Sequence, residues 1–202
     1  MLLKISKTII AIFAIIVGLY PAIYFFIDRR FGLLASKSEA LLSNEAWNVG
    51  FYTHIILGGL ALLIGWLQFN PKLRYHPIHR KIGMIYVVAA LLSALGGIGI
   101  GFYATGGFVA AAGFIGLGIV WFATTLLAYV KIKNREVAEH QKWMIYSYAA
   151  CLAAVTLRIW LPILTIALND SNLAYLIVAW LCWIPNLIVA RIVIRKLPYK
   201  LV

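Results

Sequence analysis

The 202-residue sequence has few charged residues, and very few of them are acidic. Charged residues make up 12% of the chain, with six Asp and Glu against 18 Lys and Arg. Hydrophobic residues make up 64%, and the mean hydropathy is +0.95. A soluble domain is about half apolar and about a quarter charged. The composition therefore excludes a soluble globular protein and predicts an integral membrane protein.

Cysteine and catalytic motifs are also scarce. The two cysteines, Cys151 and Cys182, both lie in apolar segments, which predicts small buried hydrophobes rather than a disulfide framework or a CxxC site. The chain has no GxSxG, HExxH or P-loop motif and no paired carboxylates within an apolar stretch. Proteolysis, ATP-driven work and carboxylate-based proton pumping are therefore without support.

Six apolar stretches are long enough to cross the hydrocarbon as helices, which takes about twenty residues. They cover residues 8–28, 48–69, 81–104, 108–130, 142–168 and 173–194. The first resembles a signal peptide, but its length and the lack of a small-x-small cleavage site favour a retained span. Pro21 and Pro185 are expected to kink the first and last spans. The sequence predicts an all-α integral membrane protein, a six-transmembrane-helix bundle with one transmembrane domain over residues 1–202.

The basic residues lie mainly in the short loops. Fourteen lysines and arginines fall on one side of the spans, three fall on the other, and Arg158 lies within a span. The positive-inside rule then predicts that both termini are cytoplasmic (N-in/C-in) in a bacterial inner membrane. Because topology explains the net charge of +12, the expected partner is the lipid bilayer and not nucleic acid.

Small and polar residues form stripes at helical spacing on three of the spans. The stripes contain His54, Gly58, Ala61, Gly65 and Gln68 on the second span; His79, Gly83, Tyr86, Ala90 and Ser93 on the third; and His140, Met144, Ser147, Cys151, Ala154 and Arg158 on the fifth. Small residues let membrane helices approach closely, and ionisable residues within spans usually face the protein interior. We therefore expect these three helices at the centre, with their stripes turned inward.

His79 and His140 are expected near the cytoplasmic surface, because each begins a span that runs outward. Two histidines at one depth can ligate a haem iron from opposite sides, or hold a divalent metal ion with a third ligand such as Gln68. Such histidines are also common as amphipathic boundary residues with one wet end. A loop histidine such as His76 needs no special role.

The haem interpretation assigns roles to four further residues. Gly83 and Ser147, one or two turns further into the membrane, would leave room for the porphyrin. Arg80 and Lys142 would meet its propionates. The sequence therefore predicts either one haem b or a divalent metal ion in this inner layer.

His54 and Arg158 form a second predicted layer, nearer the outer surface. An unpaired buried arginine would cost several kcal/mol, because it does not lose its proton. Arg158 either extends outward to Asp28, Asp170 or lipid headgroups, or receives an anionic or carbonyl ligand such as a quinone. In the second case His54 would be the proton-handling partner. For Asn186, beside Pro185, we expect a structural role in satisfying the backbone carbonyl that the proline frees.

Several segments together form a recognisable pattern. His54 precedes GWLQF at 65–69, HRKIG at 79–83 is followed by Tyr86, and HQKWM at 140–144 leads into AVTLR at 154–158. This pattern resembles a bacterial family of predicted multi-span membrane proteins known as a domain of unknown function (the 2306 type). The resemblance covers spans two to six and implies a single membrane domain, without an established activity.

The fifth-span signature departs from that family at two positions. Family members usually read His-Arg-x-Trp-Met-Ile-Arg-Ser-Tyr, whereas this chain has Gln141 and Tyr146 in place of the arginines. Any role of those arginines is therefore absent here. A fainter likeness is to six-span cytochromes of the b561 type, which place histidine pairs on central helices to bind two haems. His79 and His140 match one such pair, and the fourth span has no histidine to pair with His54, so this likeness implies one haem at most.

Three functions follow from the sequence, in this order. The first is a redox protein that holds one haem b through His79 and His140, with His54 and Arg158 at an outer quinone or anion site. The second is a permease or metal-binding membrane protein that uses the same histidines for a divalent ion. The third is an accessory subunit of a membrane complex, in which the polar residues only fix helix packing. No catalytic residue is assigned.

Overall fold

The computed structural model describes residues 2–27, 30 and 32–197, and this part of the chain is helical without strands. Within it, six helical segments are long and apolar enough to cross a membrane. They are Thr8–Phe25, Glu45–Phe69, Pro77–Gly101, Gly107–Lys133, Val137–Leu168 and Ser171–Arg195. The all-α class and the six spans are confirmed, while the N-in/C-in orientation stays a prediction.

The α-helices of the described residues number nine, because several spans are interrupted. They are α1 (Leu2–Leu19), α2 (Glu39–Leu42), α3 (Glu45–Gly65), α4 (Pro77–Gly101), α5 (Gly107–Lys133), α6 (Val137–Cys151), α7 (Ala153–Leu168), α8 (Ser171–Leu181) and α9 (Ile184–Arg195). The chain divides after Gly96 into two compact units. The single domain over residues 1–202 stays a prediction.

In the first unit, α1 packs against α3 at a pair of glycines. A Cβ at Gly59 would lie 2.6 Å from the carbonyl oxygen of Gly18, so the two backbones are in direct contact. Just beyond this contact, α1 gives way at Pro21 to a short 3-10 helix, Tyr20–Phe25. The α-helix is thus interrupted at the proline, and the bend expected there stays a prediction. The interruption occurs because proline has no N–H to donate to the helix.

Helix α3 begins at Glu45 because the side chain of Asn44 accepts a hydrogen bond from the Trp47 amide, 2.9 Å away. Besides α1, it contacts α4, through the hydrogen bonds between His54 and Ser93. On α4 the predicted stripe is buried: Tyr86, Ala90 and Ser93 are each 0% exposed. The inward face of this span is therefore confirmed for these residues.

In the second unit, α5 packs against α6 and α8, α6 packs against α9, and α7 packs against α8. The turn before α5 contains Gly106 and Gly107 at φ of 100° and 69°, a left-handed backbone that favours glycine. The fifth span breaks at Leu152, between α6 and α7, and the sixth breaks at Cys182 and Trp183, between α8 and α9. Pro185 lies at the start of α9, directly after the interruption of the last span, and the bend expected there stays a prediction.

Candidate functional site

His140 lies in the first turn of α6 and is half-buried. Its Nδ1 atom is 2.8 Å from the carbonyl oxygen of Ala128 on α5. A carbonyl oxygen only accepts, so Nδ1 carries the proton and donates it. In the neutral ring Nε2 then carries a lone pair. Histidines that ligate metals show this arrangement, with the second nitrogen bonded to a backbone carbonyl or a carboxylate.

His54 makes the same kind of contact in the first unit. Its Nδ1 lies 2.9 Å from the backbone oxygen of Ser93, and the Ser93 hydroxyl donates to the backbone oxygen of His54 at 2.8 Å. The helices approach closely here, since a Cβ at Gly96 would lie 2.7 Å from the oxygen of Gly50. The side chain of His54 thus joins α3 to α4. Because Nδ1 donates to a carbonyl oxygen, Nε2 carries the lone pair in the neutral ring. His54 lies about 14 Å along α3 from its first residue, well within the span.

Gln68 and Gly83, two residues of the predicted inner layer, are brought together in the first unit. The Oε1 atom of Gln68 is 3.2 Å from the position that a Cβ of Gly83 would take. His79 lies one turn before Gly83 on α4 and is half-buried. The space above Gly83 is therefore filled by the Gln68 side chain. His76 is exposed, and its Nδ1 accepts a hydrogen bond from the amide of Ile78 at 3.1 Å, which is the ordinary loop role expected for it.

Ser147 is fully buried and lies 2.7 Å from the hydroxyl of Thr125, between α6 and α5. Its hydroxyl therefore packs the two helices together rather than lining an open space. Met144 and Cys151 are also buried, as the stripe predicted. The porphyrin roles of Gly83 and Ser147 stay predictions, although both positions are occupied by neighbouring side chains.

The basic residues at this end of the spans pair with acids. The Nζ atom of Lys142 is 2.5 Å from Glu139, and that of Lys131 is 2.7 Å from Glu136. In the loop after α5, the hydrogen bond from Lys131 lowers the pKa of the Glu136 carboxyl. Arg80 is exposed on the first turn of α4. Propionate contacts of Arg80 and Lys142 stay predictions.

Arg158 does not follow the buried stripe of its span. Its side chain is exposed, and Nη1 donates to the carbonyl oxygen of Ala154 at 2.9 Å. The helix breaks at Leu152, and the buried face of α6 does not continue to Arg158 in α7. The choice between an outward contact and a bound ligand for Arg158 stays a prediction. Arg158 lies about 15 Å from the end of α7. Of its two suggested acidic partners, Asp28 lies outside the described residues, and Asp170 caps α8 through bonds of 2.9 and 3.0 Å.

Asn186 is the most connected polar side chain at the two helix breaks. Its Nδ2 atom lies 3.0 Å from the oxygen of Cys182, 3.2 Å from that of Ala149 and 3.2 Å from the hydroxyl of Thr156. We expected Asn186 to bond the carbonyl that Pro185 frees, which is that of Leu181, four residues before the proline. Asn186 is a structural residue as expected, but the carbonyl that it bonds is that of Cys182. Thr156 was not identified from the sequence. Its hydroxyl donates to the Cys182 oxygen at 2.5 Å.

The described residues contain no group of three or more His, Cys, Asp or Glu that would hold a metal ion by themselves. Gln68 was predicted as the third ligand, and an amide is outside that set. His79 belongs to the first unit and His140 to the second. Their pairing at one cofactor stays a prediction.

Comparison with known proteins agrees with the architecture. Residues 51–194 match the family model described as "Predicted membrane protein (DUF2306)". No curated protein and no solved structure matches the chain. The matched segment includes α4 to α8 completely and is well over half of the sequence. The chain therefore belongs to this predicted membrane protein family of unknown function.

Proposed function

We propose that the protein is a permease that moves protons or small cations across the membrane. The observation that supports this is the pair of breaks in the fifth and sixth spans, which are joined by the side chain of Asn186. In transporters, interrupted helices near the middle of the membrane place backbone carbonyls and helix ends at the substrate site. Intramembrane backbone of this kind is tolerated only inside protein or beside a cavity.

The helix pairing of the second unit supports the same proposal. The outer halves of the two spans, α7 and α8, pack against each other, and the inner halves, α6 and α9, do the same. In transporters, movement of such paired half-helices about their breaks is a usual basis of alternating access. In the first unit, His54 adds an intramembrane proton acceptor, since its Nε2 carries a lone pair. Orientation with cytoplasmic termini in a bacterial inner membrane belongs to the proposal and depends on the bias of the basic residues.

A flux assay tests the permease proposal. Purified protein is reconstituted into liposomes that contain the pH dye pyranine, and a Na⁺ gradient is imposed. We expect the internal pH to change faster than in protein-free liposomes, and the change to be lost in Asn186→Ala. Asn172→Ala is the matched control, because Asn172 is exposed in the first turn of α8. Equal pH traces with and without protein would contradict the proposal.

Cofactor binding is the second candidate function. It is favoured by the Nδ1 contact of His140, which leaves Nε2 available as a ligand to haem iron or to a divalent metal ion. In this function His79 supplies the second ligand, with Gln68 as a third in the metal case. His54 and Arg158 then serve a quinone or another anion. A bound haem b would supply one-electron transfer; the chain would supply the ligands and orient them.

A reduced-minus-oxidised absorption spectrum of the purified protein tests the cofactor candidate. We expect a haem band that is lost in His79→Ala and in His140→Ala and kept in His76→Ala, since His76 is an exposed capping residue. Stoichiometric zinc or copper without iron in elemental analysis would favour the metal alternative instead. A protein with no flux, no haem band and no metal would be best explained as an accessory subunit.

A further inference from the structure

A groove runs along an exposed face of α3, in the first half of the helix. Its volume is about 520 Å³, which is within the range of ligand pockets in proteins. Six residues of α3 line it: Asn48, Val49, Tyr52, Thr53, Ile56 and Leu57. Val49 and Ile56 are 68% and 43% exposed, so the groove is open at the surface of the chain. It lies entirely in the first unit.

The groove begins where α1 leaves α3. The two helices are in contact at Gly59, where a Cβ would lie 2.6 Å from the oxygen of Gly18, and α1 then gives way at Pro21. Gly59 follows Ile56 by three residues and Tyr52 by seven, so all three lie on one face of α3. This face is covered at Gly59 and open from Ile56 toward the start of the helix.

The lining of the groove is polar near the start of α3 and apolar further into the span. Asn48, Tyr52 and Thr53 lie toward the start, and Ile56 and Leu57 lie beyond them. From Asn48 to Leu57 the helix rises about 14 Å, which is close to half of the roughly 30 Å of hydrocarbon in a bilayer. One leaflet changes from polar to apolar over the same distance. The groove therefore matches a lipid molecule of a single leaflet.

The hydroxyl of Thr53 is available to such a ligand. Four other threonines in the spans donate their hydroxyl hydrogen to the carbonyl oxygen four residues earlier: Thr124, Thr125, Thr156 and Thr165. Within the described part of the chain, the Thr53 hydroxyl makes no hydrogen bond. A hydroxyl without an acceptor is costly where water is absent. Thr53 therefore points to a ligand with an acceptor oxygen.

A negative charge lies at the polar end of the groove. Glu45 is exposed in the first turn of α3, four residues before Val49 and seven before Tyr52, and shares their face. Among the residues that the structure describes, none forms an ion pair with Glu45. Arg30, a basic residue of the preceding loop, pairs with Glu39. The potential at this end thus favours a positively charged head group and disfavours an anionic one.

We propose that the groove is a binding site for a phospholipid with an ammonium head group, of the phosphatidylethanolamine type. The ammonium lies at Glu45, the Thr53 hydroxyl donates to an ester or phosphate oxygen, and one acyl chain follows Ile56 and Leu57. The proposal goes beyond the permease function and does not depend on it, because the site belongs to the first unit and the span breaks to the second.

Native mass spectrometry of the delipidated full chain tests the head-group preference. Phosphatidylethanolamine and phosphatidylglycerol with identical acyl chains are titrated separately. We expect the first ethanolamine lipid to bind about two- to fivefold more tightly than the first glycerol lipid, the range of an exposed ion pair. Glu45→Gln should remove this preference, and Glu45→Asp, which retains the charge, should retain it.

Thr53 variants test the hydrogen bond to the lipid. Thr53→Val should weaken the binding of both lipids about fivefold, because their ester and phosphate oxygens are the same. Thr53→Ser, which retains the hydroxyl, should bind both lipids like the parent protein. Equal binding by the valine and serine variants would reject the hydroxyl as a ligand contact.

A pair of tryptophan substitutions tests the location. Val49→Trp fills the groove, whereas Val88→Trp places the same ring at a 50% exposed valine of α4 outside it. We expect binding of the first lipid to be lost in Val49→Trp and unchanged in Val88→Trp. Equal effects of the two substitutions, or equal affinities of the two lipids in the parent protein, would overturn the proposal. A dimer mass that Val49→Trp abolishes would also overturn it, since a second copy of the chain would then occupy the groove.

Discussion

The contact between α1 and α3 gives the sharpest prediction for stability. At Gly59 a Cβ would lie 2.6 Å from the oxygen of Gly18 and 3.2 Å from the Cγ of Pro21. Real Cβ contacts are essentially never shorter than 3.0 Å, so Gly59→Ala must separate two backbones by at least about 0.4 Å. A gap of about 0.5 to 1 Å already loses a quarter to a half of the attraction between facing atoms. Overpacking of this kind costs about 1–3 kcal/mol.

The matched control is Gly99→Ala on α4. A Cβ at Gly99 meets nothing within 4 Å. Both variants gain the same preference of alanine for helix, about 1 kcal/mol, so the difference between them reports packing alone. We expect Gly59→Ala to unfold with a free energy about 1–3 kcal/mol below that of Gly99→Ala.

Unfolding by SDS in mixed micelles, followed by circular dichroism, measures this difference. Gly18→Ala should fall between the two variants. Its Cβ would be 2.6 Å from Leu63 Cγ, the middle of a side chain that can rotate away, and 3.0 Å from the oxygen of Gly59. Equal stabilities of Gly59→Ala and Gly99→Ala, within about 0.5 kcal/mol, would refute the inferred backbone contact.

Three further predictions concern hydrogen bonding, pH and topology. Thr125→Val removes the buried hydrogen bond between α5 and α6 and should lower the unfolding free energy by about 1 kcal/mol in the same SDS titration. The pKa of Glu136 is lowered by its contact with Lys131. This contact should therefore stabilise the loop fully at pH values above the ordinary carboxyl pKa, and the stabilisation should be lost as the pH falls through the lowered pKa. An NMR titration should show this pKa rising in Lys131→Gln, and no change would contradict the pairing. An impermeant thiol reagent should label Lys133→Cys only from the cytoplasmic side and Lys37→Cys only from the other. Labelling of both from one side would reject the predicted topology.

The spans could be predicted from composition, but their ends depend on polar caps. The second span was predicted to begin at residue 48, and α3 begins at Glu45. The difference arises because Asn44 caps the helix while the apolar run starts only later. The third span was predicted from residue 81, and α4 begins at Pro77, a residue that favours the first turn of a helix. Hydropathy locates the part of a helix in lipid, whereas capping determines where the helix starts.

The break in the fifth span could not be predicted from sequence. Proline is the usual cause of an interruption, yet α7 continues through Pro162, and the break lies at Leu152, where no proline stands. Thr156 and Thr165 both bond to a carbonyl four residues earlier, and only the first lies beside a break. What distinguishes Thr156 is its bond to Cys182 on the neighbouring span. This contact between helices is not encoded in the local sequence, so the sequence also placed Arg158 on a continuous buried stripe.

The two intramembrane histidines each combine a structural bond with a chemical capacity, which determines how they must be tested. The Nδ1 atoms of His54 and His140 donate to a backbone carbonyl of a neighbouring helix, so alanine would remove the helix contact together with Nε2. Asparagine separates the two, because its Nδ2 can take the place of Nδ1 while nothing replaces Nε2. In the SDS titration we expect the unfolding free energies of His54→Asn and His140→Asn to be close to that of the parent protein. Those of the alanine variants should be lower by about 1 kcal/mol. If His54 accepts protons, the Na⁺-driven pH change is lost in His54→Asn, and if His140 is a ligand, the haem or metal content is lost in His140→Asn. Full activity and cofactor content in both asparagine variants would show that the rings serve only to hold the helices together.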